Sequence, residues 1–235
     1  MHAVPIAKKI PQGKLFCFEP QRIIFQTLCA NLALNNLTNV HAYNQGVSHE
    51  QSLIEIPSSD YNTDWNYGSF SLDKGFDTEN KFEGIIHKEY IYLTSIDNHP
   101  EIQKLPSLKL LKIDAEGFEL NVLHGARSTI AKYLPVIFVE AHIHQSQELI
   151  HYLNALDYEC YWFISDRYQE NRHLNVPIFL LFTDYSPNKL NSRFLTCCFK
   201  ISTNSSTLNV PKSAPLRVRT AILPSAISLS PQTSI

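Results

Sequence analysis

The sequence predicts an α/β fold, with a largely parallel sheet and helices on both faces. An apolar run at Leu108–Ile113 has the composition of a buried parallel strand, and helically spaced residues follow it. A strand–helix–strand pattern comes earlier, with strands at Leu15–Phe18 and Val40–Asn44 around an amphipathic helix at Gln21–Leu34. A further apolar run at Val136–Val139 predicts another strand. Alternation of strands and helices in this way is typical of α/β domains.

The composition of the chain argues against several classes of protein. The 235 residues suffice for one α/β domain, and a formal net charge of −2 gives no basic surface for nucleic acid. Five cysteines without a CxxC pair argue against a disulfide framework or a zinc knuckle. The sequence has no run of about 18 apolar residues, so we predict no membrane span. Lys8 and Lys9 follow the first apolar residues, the wrong order for a secretory signal, and we therefore predict a cytoplasmic location.

Three carboxylates, Asp114, Glu116 and Glu119, follow the strand at Leu108–Ile113. Open α/β sheets hold ligands at the carboxyl ends of their strands. Carboxylates that lie close together repel one another and destabilise the fold unless a cation, a proton donor or the hydroxyl groups of a ligand bind to them. The alternative is that Glu116 and Glu119 only favour the first turn of the next helix. We predict functional roles for Asp114 and Glu116 and leave Glu119 open between the two interpretations.

Glu19 ends the strand at Leu15–Phe18 and stands directly before Pro20 and a helix. An acid in this position binds ribose hydroxyls in dinucleotide-type folds. The alternative is an exposed glutamate at a helix start.

Glu140, His142 and His144 alternate after the strand at Val136–Val139, so an extended chain would place them on one face. With Asp114 they would form a metal site rich in oxygen and imidazole ligands. A helix that begins near Gln145 would break this period, and we therefore assign no metal to the site.

Two polar segments are candidates for ligand contacts. The loop at 58–71 contains Trp65 among other aromatic residues, which would either stack on a flat ligand or pin the loop to the body. It follows a strand at Ser52–Ile56 that we expect Pro57 to close. Asn171 lies in a polar turn between two late strands, an antiparallel pair at the sheet edge.

Glycines are few, and no GxG or GxxxxGK loop that would cradle a phosphate occurs among the seven. The segment at 201–235 is rich in Ser, Thr and Pro, and we predict that it is a disordered tail after a domain at 1–200.

The order of these pieces resembles the FkbM-type methyltransferases, which belong to the S-adenosylmethionine-dependent Rossmann-like enzymes. The resemblance spans roughly residues 1 to 190. The matching stretches are FCFEPQRIIFQTLCANLALNN (16–36), NVHAYNQGVS (39–48), WNYGSFSL (65–72), LTSID (93–97), LLKIDAEGFELNVLHGA (110–126) and PVIFVE (135–140).

The resemblance implies a Rossmann-like class I methyltransferase sheet and S-adenosylmethionine as the cofactor. It implies that Glu19 holds the cofactor ribose and that Asp114 and Glu116 border the reaction site. The expected reaction is methyl transfer to a hydroxyl of a sugar, a glycolipid or a small metabolite. We assign the binding of this small-molecule or glycan acceptor to four residues: Glu140, His142, Trp65 and Asn171.

One departure from the family pattern concerns the start of the chain. Family members carry a first, central strand and a glycine-containing loop before the helix with which this chain begins. We therefore expect an N-terminally truncated member with little or no activity of its own. Two alternatives stay open: an inactive remnant or binding module that a partner completes, and another Rossmann-type enzyme that uses a nucleotide.

Overall fold

The computed structural model describes residues 2–78, 81–141, 146–163 and 178–184 of the chain. Within these residues, strands and helices alternate at 15–43 and again at 110–163, whereas the five strands between positions 40 and 113 follow one another with no described α-helix between them. The helices are α1 (Ala3–Lys9), α2 (Arg22–Leu34), α3 (Glu119–His124), α4 (Arg127–Tyr133) and α5 (Ser146–Asn154). The strands are β1 (Leu15–Phe18), β2 (Val40–Tyr43), β3 (Gly46–Val47), β4 (Ser52–Ser59), β5 (Ile86–Thr94), β6 (Leu110–Ile113), β7 (Val136–Ala141), β8 (Tyr158–Phe163) and β9 (Ile178–Asp184). The predicted roles of His142, Asn171 and the tail at 201–235 fall on residues outside those described.

The described strands form three sheets. β1 and β2 pair in parallel, and β5 lies between β3 and the antiparallel β4. The third sheet has the order β6-β7-β9-β8, with β6 parallel to β7 and β9 antiparallel to both of its neighbours. The α/β class is confirmed, but the sheets are mixed and not largely parallel. The reason is that β4 pairs with β5, and β9 with β7 and β8, in opposite directions.

The main hydrophobic core lies on β6 and β7 and is covered by α3, α4 and α5. Its most buried side chains come from all five of these elements: Ile113, Leu123, Ile130, Ile137, Val139, Leu149 and Leu153. Burial of each such side chain stabilises the fold by roughly 1.5–3 kcal/mol. Phe16 and Phe18 of β1 pack against the same cluster, so the first sheet shares this core.

A second, aromatic core holds the segment between β4 and β5. Trp65 meets Phe76 edge to face, with ring centroids 5.2 Å apart, and Phe76 stacks on Phe82 at 4.3 Å. The prediction that Pro57 closes the preceding strand is wrong, because β4 runs on to Ser59 with Pro57 opposite Lys88. β4 is the outer strand of its sheet, and an outer strand tolerates the missing proline N–H.

The helical segment after the acidic turn breaks into α3 and α4 at Gly125 and Ala126. A Cβ on Gly125 would lie 1.9 Å from the carbonyl oxygen of Ser48, so only glycine allows this approach of two backbones. The carboxylate of Asp97 accepts hydrogen bonds from the N–H groups of Ser128 (2.9 Å) and Thr129 (2.7 Å) at the start of α4. These contacts fix the junction of α3 and α4 against the chain segments that follow β3 and β5.

None of the helices in the described part of the chain has the length and apolarity that a membrane crossing requires.

Candidate acidic site at the ends of two parallel strands

The turn after β6 is held in an uncommon backbone conformation. Glu116 has a φ of 49° and Gly117 a φ of 99°, both in the left-handed region. Glu119, fully buried at the first position of α3, accepts hydrogen bonds at Oε1 from the N–H groups of Ala115 and Gly117, each 3.1 Å long. Glu119 therefore braces the turn, which favours the structural interpretation of this residue. Non-glycine residues with positive φ concentrate where surrounding contacts over-determine them, often at functional sites.

The parallel pairing of β6 and β7 brings Asp114 and Glu140 together. Ile113 is opposite Val139, so the next residue on each strand stands at the same level of the sheet. One carboxylate oxygen from each of Asp114, Glu116 and Glu140 lies within 4.8 Å of the others. Lys112 forms an ion pair with Asp114 through its Nζ. The structure thus joins the two predicted catalytic acids to Glu140, which the sequence assigned to acceptor binding.

The two facing carboxyls have opposite pKa shifts. Burial first, and then the hydrogen bond and negative charge of Asp114, raise the pKa of Glu140 to about 9. Burial alone would raise the pKa of Asp114, but the hydrogen bond from Glu140 and the charge of Lys112 outweigh it and hold that pKa below its ordinary value. At neutral pH the pair therefore shares one proton, which resides on Glu140. Asp114 is left as a carboxylate.

Two buried oxygens in this region have no hydrogen-bond partner within the described residues: Oε2 of Glu119 and Oε2 of Glu140. Glu140 is only 5% exposed. A buried carboxylate oxygen without a partner costs roughly 1–3 kcal/mol or more, so such atoms need an explanation.

Glu19 lies at the carboxyl end of β1, as predicted. Its N–H donates to the carbonyl oxygen of Tyr43 (3.1 Å), and its Oε1 accepts the N–H of Gln21 (2.9 Å). Burial raises the pKa of Glu19 to about 6, and the hydrogen bond from Gln21 limits the rise. A desolvated carboxylate in a fixed orientation is suited to bind hydroxyl groups in place of water.

The link between Glu19 and the loop at 58–71 was not predicted from the sequence. The buried side chain of Gln21 donates from Nε2 to the carbonyl oxygen of Tyr67 (2.8 Å), and Tyr61 donates from its hydroxyl to Gln21 Oε1 (3.4 Å). Tyr61 also has a positive φ of 56°. The available signal was the glutamine directly after the Glu19-Pro20 pair, but nothing in the sequence indicates its distant partners.

Trp65, predicted to bind the acceptor, packs into the aromatic core with Tyr67, Phe76 and Phe82. This is the packing role that the sequence left open as its alternative. Its role in acceptor binding stays a prediction.

Comparisons with known proteins show the family of the chain. The family model of the methyltransferase FkbM domain matches residues 5–160. Methyltransferase 1 of Beauveria bassiana (strain ARSEF 2860) is 26% identical over 133 residues, with 53% of this chain and 53% of the relative covered. Methyltransferase sdnD of Sordaria araneosa is 30% identical over 142 residues, with 50% and 53% covered. The chain therefore spans about half the length of these curated relatives.

The crystal structure of Methyltransferase FkbM from Methylobacillus flagellatus KT also matches. It is 20% identical, with a TM-score of 0.47, and the match covers 77% of this chain and 40% of that one. The family assignment itself comes from the family model, which covers well over half of the 235 residues. This chain belongs to the FkbM methyltransferase family.

Proposed function

We propose that the protein transfers a methyl group from S-adenosylmethionine to a hydroxyl of a sugar, a glycolipid or a small metabolite. The observation that carries this proposal is the convergence of Asp114, Glu116 and Glu140 at the carboxyl ends of β6 and β7 in a chain of a methyltransferase family. Hydroxylated acceptors suit this site, because carboxylates both accept hydrogen bonds from hydroxyls and take up their protons.

Glu19 is the residue that we propose to hold the cofactor ribose. Its carboxylate is oriented by the Gln21 N–H and lies at a strand end, where α/β sheets hold ligands, so the residues present fit a ribose. Gln21 and Tyr61 lie beside it and shape the same end of the site. When bound, S-adenosylmethionine supplies an electrophilic methyl group.

Asp114 is the residue that we propose as the proton acceptor. It is exposed, whereas Glu140 is buried, so an acceptor hydroxyl from solvent has access to Asp114. The protein contributes alignment of the hydroxyl and removal of its proton. Glu116 and Glu140 orient the acceptor through hydrogen bonds, and Trp65, His142 and Asn171 remain candidates for further acceptor contacts.

We also propose that the first and third sheets are the two flanks of one Rossmann-like sheet. β1 and β6 are each the outer strand of their sheet, and Phe16 and Phe18 of β1 pack on the core that contains Ile113 of β6. A parallel strand between β1 and β6 would complete both ladders.

The test compares the 235-residue chain with an extended chain that carries an N-terminal strand and glycine loop of the family type. We expect the extended chain to be the more active.

A transfer assay with methyl-labelled S-adenosylmethionine tests the proposal. Both chains are incubated with polyhydroxylated acceptors, and products are treated with base, because methyl ethers survive base whereas methyl esters are cleaved. We expect base-stable label from the extended chain and a loss of about 10²–10⁴-fold in Asp114→Asn, the usual contribution of a general base. Glu50→Gln, on the surface, is the control. Base-labile label, or equal rates for Asp114→Asn and the control, would refute the proposal.

A further inference from the structure

We propose that Asp114, Glu116 and Glu140 form a binding site for one hard divalent cation of the Mg²⁺, Mn²⁺ or Ca²⁺ class. Glu140 lies on β7, and Asp114 and Glu116 lie in the turn between the neighbouring parallel strand β6 and α3, so the backbone holds the three residues in place. Carboxylate oxygens are the ligands that these cations prefer in proteins.

The spacing of the three carboxylates fits the larger cations of this class, such as Ca²⁺. One oxygen from each lies within 4.8 Å of the other two. Two ligands of one ion are separated by at most twice the metal–oxygen distance, about 4.2 Å for Mg²⁺ and about 4.6–5.2 Å for Ca²⁺. Asp114 is exposed, so water or a ligand hydroxyl has room to complete the coordination.

A second observation points to a ligand at this cluster. Glu140 is 95% removed from solvent, its carboxylate reaches into the cluster, and its Oε2 has no hydrogen-bond partner in the part of the chain that the structure describes. Oε2 of Glu119, fully buried at the same turn, also has no partner there. A cation would satisfy Glu140 directly, because it is the partner that a buried carboxylate accepts most favourably.

The local charge supports the same conclusion. Asp114, Glu116, Glu119 and Glu140 bring four carboxyl groups to one turn and one strand end. Lys112 makes an ion pair with Asp114 of this group. An added divalent cation would offset the repulsion between the carboxylates, which is strong where water is excluded.

The cation's role in catalysis rests on the proposed function, although its binding does not. A divalent cation held by Asp114, Glu116 and Glu140 would lower the pKa of the acceptor hydroxyl, and the proton would pass to the second carboxylate oxygen of Asp114. Glu119 would then act as a positioning residue, because its hydrogen bonds to Ala115 and Gly117 fix the turn that carries Glu116.

The test is Mn²⁺ binding to the 235-residue chain, measured from the loss of the free Mn²⁺ signal in electron paramagnetic resonance. We expect one Mn²⁺ per chain, competition by Mg²⁺ or Ca²⁺, and at least a tenfold loss of affinity in Glu116→Gln and in Glu140→Gln. Glu50→Gln, with a carboxyl on the surface, should bind as the unmodified chain does. Circular dichroism checks that each variant is folded. If Glu140→Gln does not fold, the Mn²⁺ affinity of Glu116→Gln decides the test.

Absence of stoichiometric binding at millimolar Mn²⁺, or equal binding by all variants, would overturn the proposal. An extended chain that binds Mn²⁺ at this site but transfers no methyl group would count against the proposed function and leave the cation site standing.

Discussion

Replacement of Glu140 by glutamine should stabilise the folded chain at neutral pH. Glu140 is 5% exposed, and burial together with Asp114 raises its pKa to about 9, from an ordinary value of 4.5. Below pH 4.5 the folded and unfolded states both hold the proton. Between pH 4.5 and about 9, the unfolded chain releases it while the folded chain keeps it, so the unfolded state gains stability as the pH rises. Glutamine does not titrate and still donates a hydrogen bond to Asp114.

The expected gain follows from the width of this window. Each pH unit above 4.5 lowers the free energy of unfolding of the unmodified protein by about 1.4 kcal/mol through the titration of Glu140. Glu140→Gln should therefore raise the free energy of unfolding by at most about 3 kcal/mol at pH 7, and it should have no effect near pH 4. A gain of this size is a large fraction of the stability of an ordinary domain.

The measurement is urea unfolding at pH 4, 5.5 and 7, in the presence of a chelator so that no cation binds the cluster. The free energy of unfolding of Glu140→Gln should exceed that of the unmodified chain increasingly from pH 4 to pH 7. Glu148→Gln, on the exposed face of α5, should run parallel to the unmodified chain. Equal pH slopes for Glu140→Gln and the unmodified chain, or a less stable variant at pH 7, would refute the reasoning.

Three further predictions concern other parts of the fold. Affinity for S-adenosylmethionine in the extended chain should fall as the pH drops through about 6, where Glu19 becomes protonated, and calorimetry of Glu19→Gln should show no such pH dependence. Gly125→Ala should lower the free energy of unfolding by about 3 kcal/mol, because a Cβ meets the Ser48 backbone, whereas Gly68→Ala at an exposed turn should change it little. Trp65→Leu should cost about 2 kcal/mol of stability through the aromatic core, and an unchanged unfolding midpoint would show that Trp65 does not support the fold.

Several strands and helices of the domain could be predicted because their signals are local, whereas the short strand β3 was not predicted. Apolar runs and helical spacing identified β1, α2, β2, β6 and β7, and the acidic residues directly after β6 identified the site. Their pairing into separate, mixed sheets could not be predicted, because strand direction depends on partners far along the chain. The continuation of β4 through Pro57 could not be predicted for the same reason. β4 tolerates a proline because it is the outer strand of its sheet, and that position depends on strand pairing.

The residues that form the acidic site could be predicted only in part from the sequence. Asp114 and Glu140 are 26 positions apart in the sequence, and only the register of Ile113 opposite Val139 shows that they face one another. Glu119 could not be assigned from its spacing, because its role depends on hydrogen bonds to a turn with positive φ at Glu116. Gln21 and Tyr61 were missed because a contact between residues 40 positions apart leaves no local pattern.

Equilibrium binding of labelled S-adenosylmethionine tests the central claim most directly. The extended chain should bind the cofactor, and Glu19→Ala should weaken binding by roughly 1–3 kcal/mol, about 5- to 150-fold, the scale of lost charge-assisted hydrogen bonds. Glu50→Ala should bind as the parent does. An extended chain without measurable affinity, or one whose affinity is unchanged by Glu19→Ala, would contradict the account.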